Sequence, residues 1–140
     1  MKLIIHTDGG ARGNPGPAAI GVVVEGEASK IIAQFGKYIG EATNNVAEYV
    51  AVIEALTWLK NNPDHSDKQR IYFYLDSTLV VNQLNGLFKV KDAHLRELLS
   101  HVRILEQEIG NTIYYAHIPR EQNVHADSLV NKALDTPHVV

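Results

Sequence analysis

The stretch Lys2-Leu3-Ile4-Ile5-His6-Thr7-Asp8 decides how the chain is read. Leu3, Ile5 and Thr7 fall on one side and Lys2, Ile4, His6 and Asp8 on the other, the two-residue alternation of a β-strand that ends at an acid. The next segment, Gly9-Gly10-Ala11-Arg12-Gly13-Asn14-Pro15-Gly16-Pro17, gathers breakers that neither helix nor strand interior tolerates, so it is expected to be a loop. Beyond it, Ala18 to Glu25 and Lys30 to Ile39 are rich in β-branched residues and flank a hairpin turn at Gly26-Glu27-Ala28-Ser29. Three antiparallel strands therefore open the chain.

Thr43 and Asn44 are N-cap candidates for a helix whose apolar positions Tyr49, Val52, Ile53, Leu56 and Leu59 follow helical spacing, and Asn61-Asn62-Pro63 stops it. Arg70 to Leu75 reads as a fourth strand closing on Asp76, followed by a short helix from Ser77 to about Leu84 that Asn85-Gly86 ends. Helical spacing resumes at Leu95, Leu98, Leu99, Val102 and Leu105. Gly110-Asn111 then turns into a fifth strand, Thr112 to Ile118, and Val124 to Leu134 forms the last helix. The order βββαβααβα predicts an α/β fold: a five-stranded mixed sheet with three antiparallel strands first, and helices covering both faces.

With 140 residues, 45% hydrophobic, and five prolines, the chain is expected to be one domain over 1–140, with 135–140 a loose tail. No apolar run is long enough to span a bilayer, and the start runs directly into a strand pattern, so a cytoplasmic protein without membrane contact is expected. With no cysteine, any metal must be held by oxygen or imidazole. A formal net charge of -3 is unusual for a nucleic-acid partner. Its distribution is uneven, however, and Lys89, Lys91, Arg96 and Arg103 in one stretch suggest a local basic face.

Asp8 and Asp76 end two expected strands, where open α/β sheets present functional groups; each alone also fits a turn or a helix cap. Glu48 falls on or beside the apolar stripe of the long helix, where a carboxylate needs a cation or donor. It also fits, like Asp127 in the last helix, as a first-turn acid complementing the helix dipole.

Four segments in order resemble the type 1 ribonucleases H. They are Thr7-Asp8-Gly9-Gly10 with Gly13-Asn14-Pro15-Gly16-Pro17, Thr43-Asn44-Asn45-Val46-Ala47-Glu48, Leu75-Asp76-Ser77 and Asn123-Val124-His125-Ala126-Asp127. The resemblance runs from Lys2 to Leu134 and implies a ribonuclease H-like fold. It also implies a metal-dependent endonuclease that cuts the RNA strand of an RNA/DNA hybrid, leaving a 5′-phosphate and a 3′-hydroxyl. Asp8, Glu48, Asp76 and Asp127 would be both catalytic and metal-binding, holding two Mg²⁺ ions about 4 Å apart, with Mn²⁺ as a substitute. A monomer is expected.

Hybrid recognition needs groups that sense a 2′-hydroxyl along a shallow minor groove. Exposed backbone around Gly9, Gly10, Arg12 and Gly13 would supply some of them, unless the segment merely links two strands. The resemblance implies that Asn14 and Thr43 contact the DNA phosphate and that Asn44 and Asn45 reach into the minor groove. Thr43 and Asn44 also fit as caps.

Two family features are missing. The long Gly-His loop before the last acid is replaced by Ile118-Pro119-Arg120-Glu121-Gln122-Asn123, so neither His117 nor His125 aligns with the family histidine; His125 is the better candidate for a substitute, but reads first as a surface helix histidine. Arg120 either meets a phosphate or pairs with Glu121. The basic protrusion is reduced to Leu84 through His94, where Lys89 and Lys91 would keep part of the DNA contact. Phe88 there either offers a stacking surface or is buried. The alternatives are another nuclease of the same fold, or a catalytically weak module that grips hybrids.

Overall fold

The computed structural model describes residues 1–67 and 69–136. Five strands, β1 (Lys2–Ala11), β2 (Gly16–Glu25), β3 (Ile31–Ala42), β4 (Arg70–Leu75) and β5 (Ile113–His117), form one sheet in the order β3-β2-β1-β4-β5. The first three are antiparallel, as expected; β4 joins β1, and β5 joins β4, in parallel. The helices are α1 (Asn44–Asn61), α2 (Pro63–Ser66), α3 (Thr78–Leu84), α4 (Ala93–Ile109) and α5 (Val124–Asp135).

The glycine-rich segment departs from the loop expected of it. β1 continues through Gly9, Gly10 and Ala11, β2 already begins at Gly16, and only 12–15 turn between them. Glycine is a breaker on local grounds alone. In a strand it also marks a place where another backbone comes close. At Gly9 a Cβ would stand 2.3 Å from the Ala47 carbonyl group, so α1 can lie on β1 only because that side chain is missing. The one-turn α2, started by Pro63 at its first turn, is additional to the expected elements.

Alternation on β1 sends Leu3, Ile5 and Thr7 into the core under α1. α1 is buried on two sides because it packs on β1 and β2 while α4 packs against it as well. Its buried residues accordingly include Tyr49, Val52, Ile53, Leu56 and Leu59. Inside this layer the Tyr49 hydroxyl donates to Gln83 Oε1 of α3 at 2.8 Å, satisfying two buried polar groups at once. α4 is amphipathic, capped by the Asp92 side chain on the Leu95 amide and ended by Gly110 at φ 79°.

α5 lies on the opposite face and packs on β2, β3 and β1. Gly21 and Gly36, paired across β2 and β3, seat it: a Cβ on Gly21 would be 2.2 Å from the Ala126 carbonyl oxygen, and one on Gly36 2.6 Å from that of Leu129. Helices thus flank both faces as expected, but the second face is covered over one half. The first residue of the expected tail is helical. Asp135 is the last residue of α5 and pairs with Arg12 at 2.7 Å, while 137–140 lie outside the described residues. No helix among the described residues is long and apolar enough to cross a membrane.

Candidate active site

β1 and β4 run parallel with His6 opposite Tyr74, so Asp8 and Asp76, each two residues further on, come to the same end of the sheet. Glu48 enters from the first turns of α1. The Thr43 hydroxyl caps that helix by accepting from the Val46 amide at 3.2 Å, which fixes its start, and the Gly9 contact fixes its depth. The Gly9 amide donates to Glu48 Oε1 at 3.0 Å. One carboxylate oxygen each from Asp8, Glu48 and Asp76 lie within 4.8 Å of one another. Asp127, half-buried on α5, comes within hydrogen-bonding reach of Asp8. The structure therefore brings all four acids together, with Asp127 at the more open side.

Burial is the first cause that pushes the Asp8 carboxyl up to about 7. A hydrogen bond with Glu48 works the other way, and the charges of Asp76 and Asp127 raise it further. Glu48 is only 5% exposed and rises well above the ordinary carboxylate range, through burial first and then the charge of Asp8. Its Oε2 is buried without a hydrogen-bond partner. A buried carboxylate oxygen with no donor, beside two more acids, is the arrangement a hard cation relieves. The donor set is all oxygen, which suits Mg²⁺ or Mn²⁺ better than zinc.

The carboxylates line a cavity of about 510 Å³. Of the expected substrate-binding residues, Gly9, Gly10, Arg12, Asn44, Asn45 and Arg120 also line it. Gly13, Asn14, Thr43, Lys89 and Lys91 do not. Asn14 Oδ1 instead accepts from the Asn44 amide at 2.9 Å, and Asn44 Oδ1 accepts from the Ala11 amide at 2.9 Å. Asn44 therefore ties the start of α1 to the end of β1, and the cap is Thr43 alone. Lys89 and Lys91 are exposed between α3 and α4, and Phe88 beside them is 50% exposed, so it is no core aromatic. The expected basic face loses Arg103, which is tied to Glu106 at 3.1 Å and donates to the Leu84 carbonyl. His125 points its Nε2 at Gln34 Oε1 of β3, the surface position expected of it.

Sequence reasoning missed what Asn123 does. It is buried, its Nδ2 donates to the Thr7 carbonyl at 3.0 Å and to Asp76 Oδ2 at 3.5 Å, and its carbonyl accepts from the Asp127 amide at 3.1 Å. The side chain thus links β1 to Asp76, and the backbone carbonyl of the same residue holds the start of α5. Asn131 was missed as well; its Nδ2 lies 3.3 Å from Asp127 Oδ2, and its place four residues after that acid is the signal that could have found it.

Residues 6–133 match the family described as reverse transcriptase-like. The chain is 40% identical over 136 residues to a bifunctional protein of Mycobacterium tuberculosis, an alignment covering 96% of this chain and 36% of that one. It is 42% identical over 135 residues to the ribonuclease HI of Halobacterium salinarum, covering 96% and 65% respectively. The chain spans about a third of the length of the mycobacterial relatives it matches. Among solved structures it is similar to LC11-RNase H1, a protein isolated from compost, crystallised in complex with RNA/DNA hybrid. The TM-score is 0.91 and the identity 46%, covering 96% of this chain and 97% of that one.

Proposed function

Since the chain belongs to the ribonuclease H family, we propose that it is an endonuclease that hydrolyses the RNA strand of RNA/DNA hybrids and leaves 5′-phosphate and 3′-hydroxyl ends. The observation that carries this reading is Glu48, a buried carboxylate with one oxygen unpartnered, closing on Asp8 and Asp76 at the edge of an open cavity. Asp8, Glu48, Asp76 and Asp127 would hold two divalent ions, Mg²⁺ with Mn²⁺ as a substitute. Bound there, the ions supply Lewis acidity at the scissile phosphate, where a water attacks and the 3′ oxygen departs.

The chain's own residues do the positioning. The Gly9 amide fixes one oxygen of Glu48 and leaves the other for a cation. Asn123 orients Asp76 while its backbone anchors the start of α5, and with it Asp127. Gly9, Gly10, Arg12, Asn44, Asn45 and Arg120 face the hybrid from the cavity wall. Asn14 and Thr43 accept hydrogen bonds through their side-chain oxygens, which leaves the Asn14 amide hydrogens and the Thr43 hydroxyl hydrogen for a phosphate. Gly13 shapes the turn, with φ at 97°, and Lys89 and Lys91 meet the duplex at longer range. The same reading takes the protein as a cytoplasmic monomer.

The test is a labelled RNA/DNA hybrid incubated with the protein and Mg²⁺, with duplex RNA and duplex DNA as controls. Cutting confined to the RNA strand of the hybrid, with products that a ligase joins only through their 5′-phosphate, is the expected result. Asp8→Asn and Asp76→Asn are expected to lower the rate by roughly a thousandfold or more while hybrid binding stays measurable. Substantial turnover by either variant removes the carboxylates from the mechanism.

A further inference from the structure

We propose that the uncovered half of the sheet is a second nucleic-acid site, a platform that stacks the bases of a single strand. α5 covers β1 to β3, and none of the described helices packs on the same face of β4 and β5. Alternation settles which side chains stand there. Phe73 and Tyr115 are buried under α1 and its neighbours, so Tyr72, Tyr74 and Tyr114 project from the other side, and the parallel register adds Lys2, Ile4, His6 and Arg70.

Around the half-buried Ile4 these make two aromatic units and a cationic border. Tyr72 and Tyr114 stack with centroids 4.9 Å apart and planes 16° apart. His6 and Tyr74 lie 5.5 Å apart. The Lys2 ammonium sits 5.9 Å from the Tyr72 ring centre. Tyr114 is 45% exposed, on an edge strand with nothing beyond it in the sheet. A face built only to be solvated would carry charged and polar side chains rather than three tyrosines. A face built for an apolar partner would not border its rings with a lysine and an arginine.

Open π-faces beside fixed cations are instead what a single strand requires, because every base can stack and every phosphate needs a positive charge within reach. Of the acids on this face, Asp8 and Asp76 belong to the carboxylate site at its far end, and Glu25 of β2 stands opposite Ile4 at the α5 border, across β1 from Arg70. The platform is also continuous with the carboxylate site: on α5's side of the sheet, the turn Arg120–Gln122 sends Arg120 to the carboxylate cavity and Gln122 to a small cleft shared with His6. A single-stranded overhang leaving the cleft across that turn arrives at Tyr74.

The experiment uses the whole chain in EDTA, so that no cutting occurs and the result does not depend on the hydrolytic reading. A fluorescent single-stranded oligonucleotide of about eight residues is titrated at low salt. Saturable binding is expected, weakened at least about fivefold by Tyr114→Ser, which removes one stacking ring, and weakened again by Lys2→Gln. Lys2→Gln should melt as the wild type does, and Tyr114→Ser, which loses the stack on Tyr72, should stay folded with a melting temperature only slightly lower. A 5-iodouridine-substituted strand should photo-crosslink to Tyr72, Tyr74 or Tyr114. Absent binding, binding that both variants leave intact, or crosslinks confined to the residues around Asn44 would each overturn the proposal. So would sedimentation showing that Tyr114→Ser breaks a dimer while the oligonucleotide stays unbound, which would make the face a contact between copies.

Discussion

At the carboxylate end four acids converge on positions fixed by the fold: Asp8 inside β1, Glu48 through the Gly9 amide, Asp127 through the glycine seat of α5, and Asp76 through the Asn123 side chain. Between α3 and α4 the chain is held loosely. Leu87 is 72% exposed, Lys89 and Lys91 are exposed, and the tethers are the Leu87 and Phe88 amides on the Asn82 carbonyl and Arg96 on that of Lys91. On the proposed function the two regions meet one substrate with different tolerances. A displacement of about 1 Å at reacting atoms can lower a rate a hundredfold, whereas attraction to a polyanion needs only charge within a Debye length of about 10 Å. Precision is therefore built where backbones touch, and grip is left to exposed side chains on a segment that Val90 alone packs against the core.

The comparison breaks first at the glycines if it is wrong. Gly9→Ala places a Cβ 2.3 Å from the Ala47 backbone, and Gly21→Ala places one 2.2 Å from the Ala126 carbonyl oxygen, so a helix must move in each case. Each substitution is expected to destabilise the fold by about 1–3 kcal/mol, read by denaturant unfolding. Each should also lower the hybrid-cutting rate by roughly a hundredfold even at saturating Mg²⁺. Leu87→Ala should stay within about 0.5 kcal/mol of wild type and cut normally. A Gly9→Ala protein that is as stable and as active as wild type would show that α1 does not set the position of Glu48.

Charge sharpens the same contrast. Asp8 is held near 7, above its ordinary value of 3.8, so the metal-free folded chain binds this proton more tightly than the unfolded chain does. Below 3.8 the group is protonated in both states and the penalty is absent; above about 7 it is charged in both and the penalty is complete. Metal-free stability from this residue therefore falls as pH rises through that window, by about 1.4 kcal/mol per pH unit. Asp8→Asn should melt above wild type at pH 8 in EDTA, and the gap should close towards pH 4. Mg²⁺ binds the native cluster and not the unfolded chain, so it should raise the wild-type melting temperature more than that of the variant, with sodium chloride at matched ionic strength as the control. Equal melting temperatures at pH 8 and equal Mg²⁺ shifts would remove Asp8 from the cluster.

Local sequence carries some of these features and not others. The alternation of Leu3, Ile5 and Thr7, the Thr43 cap, the stop at Pro63 and the acid after β4 are properties of neighbouring residues, and all are present in the structure, whereas Asp8, expected to end β1, lies inside it. Gly9 was misread because both its pairing with Ile20 of β2 and the close approach of Ala47, 38 positions away in a helix, exist only in the folded chain. Asn44 looked like a cap because its bond to the Ala11 amide spans 33 positions, and Arg103 looked free because Glu106 and Leu84 claim it only after folding. The four acids could be grouped in advance by resemblance alone. Singly, each also fits a turn, a cap or a helix dipole, and what distinguishes them is mutual proximity.

Lys89 and Lys91 offer the smallest effect and the closest test of the division between precision and grip. Neither lines the carboxylate cavity, and no ion pair among the described residues engages either one. Replacing both with Gln leaves every described contact of the cluster in place, so the melting temperature and the rate at saturating hybrid should match wild type. What should change is the approach to saturation: KM should rise several-fold at low salt, and the slope of log affinity against log salt should become shallower by about one for each lysine that meets a phosphate. At high salt the variant and wild type should converge, because the counterions that each lysine displaces no longer favour release. If the double variant loses rate at saturation, the segment positions the scissile phosphate and belongs with the rigid end of the molecule. If KM and its salt slope are both unchanged, the cavity wall of Arg12, Asn44, Asn45 and Arg120 supplies the whole grip, and the exposed stretch has no part in it.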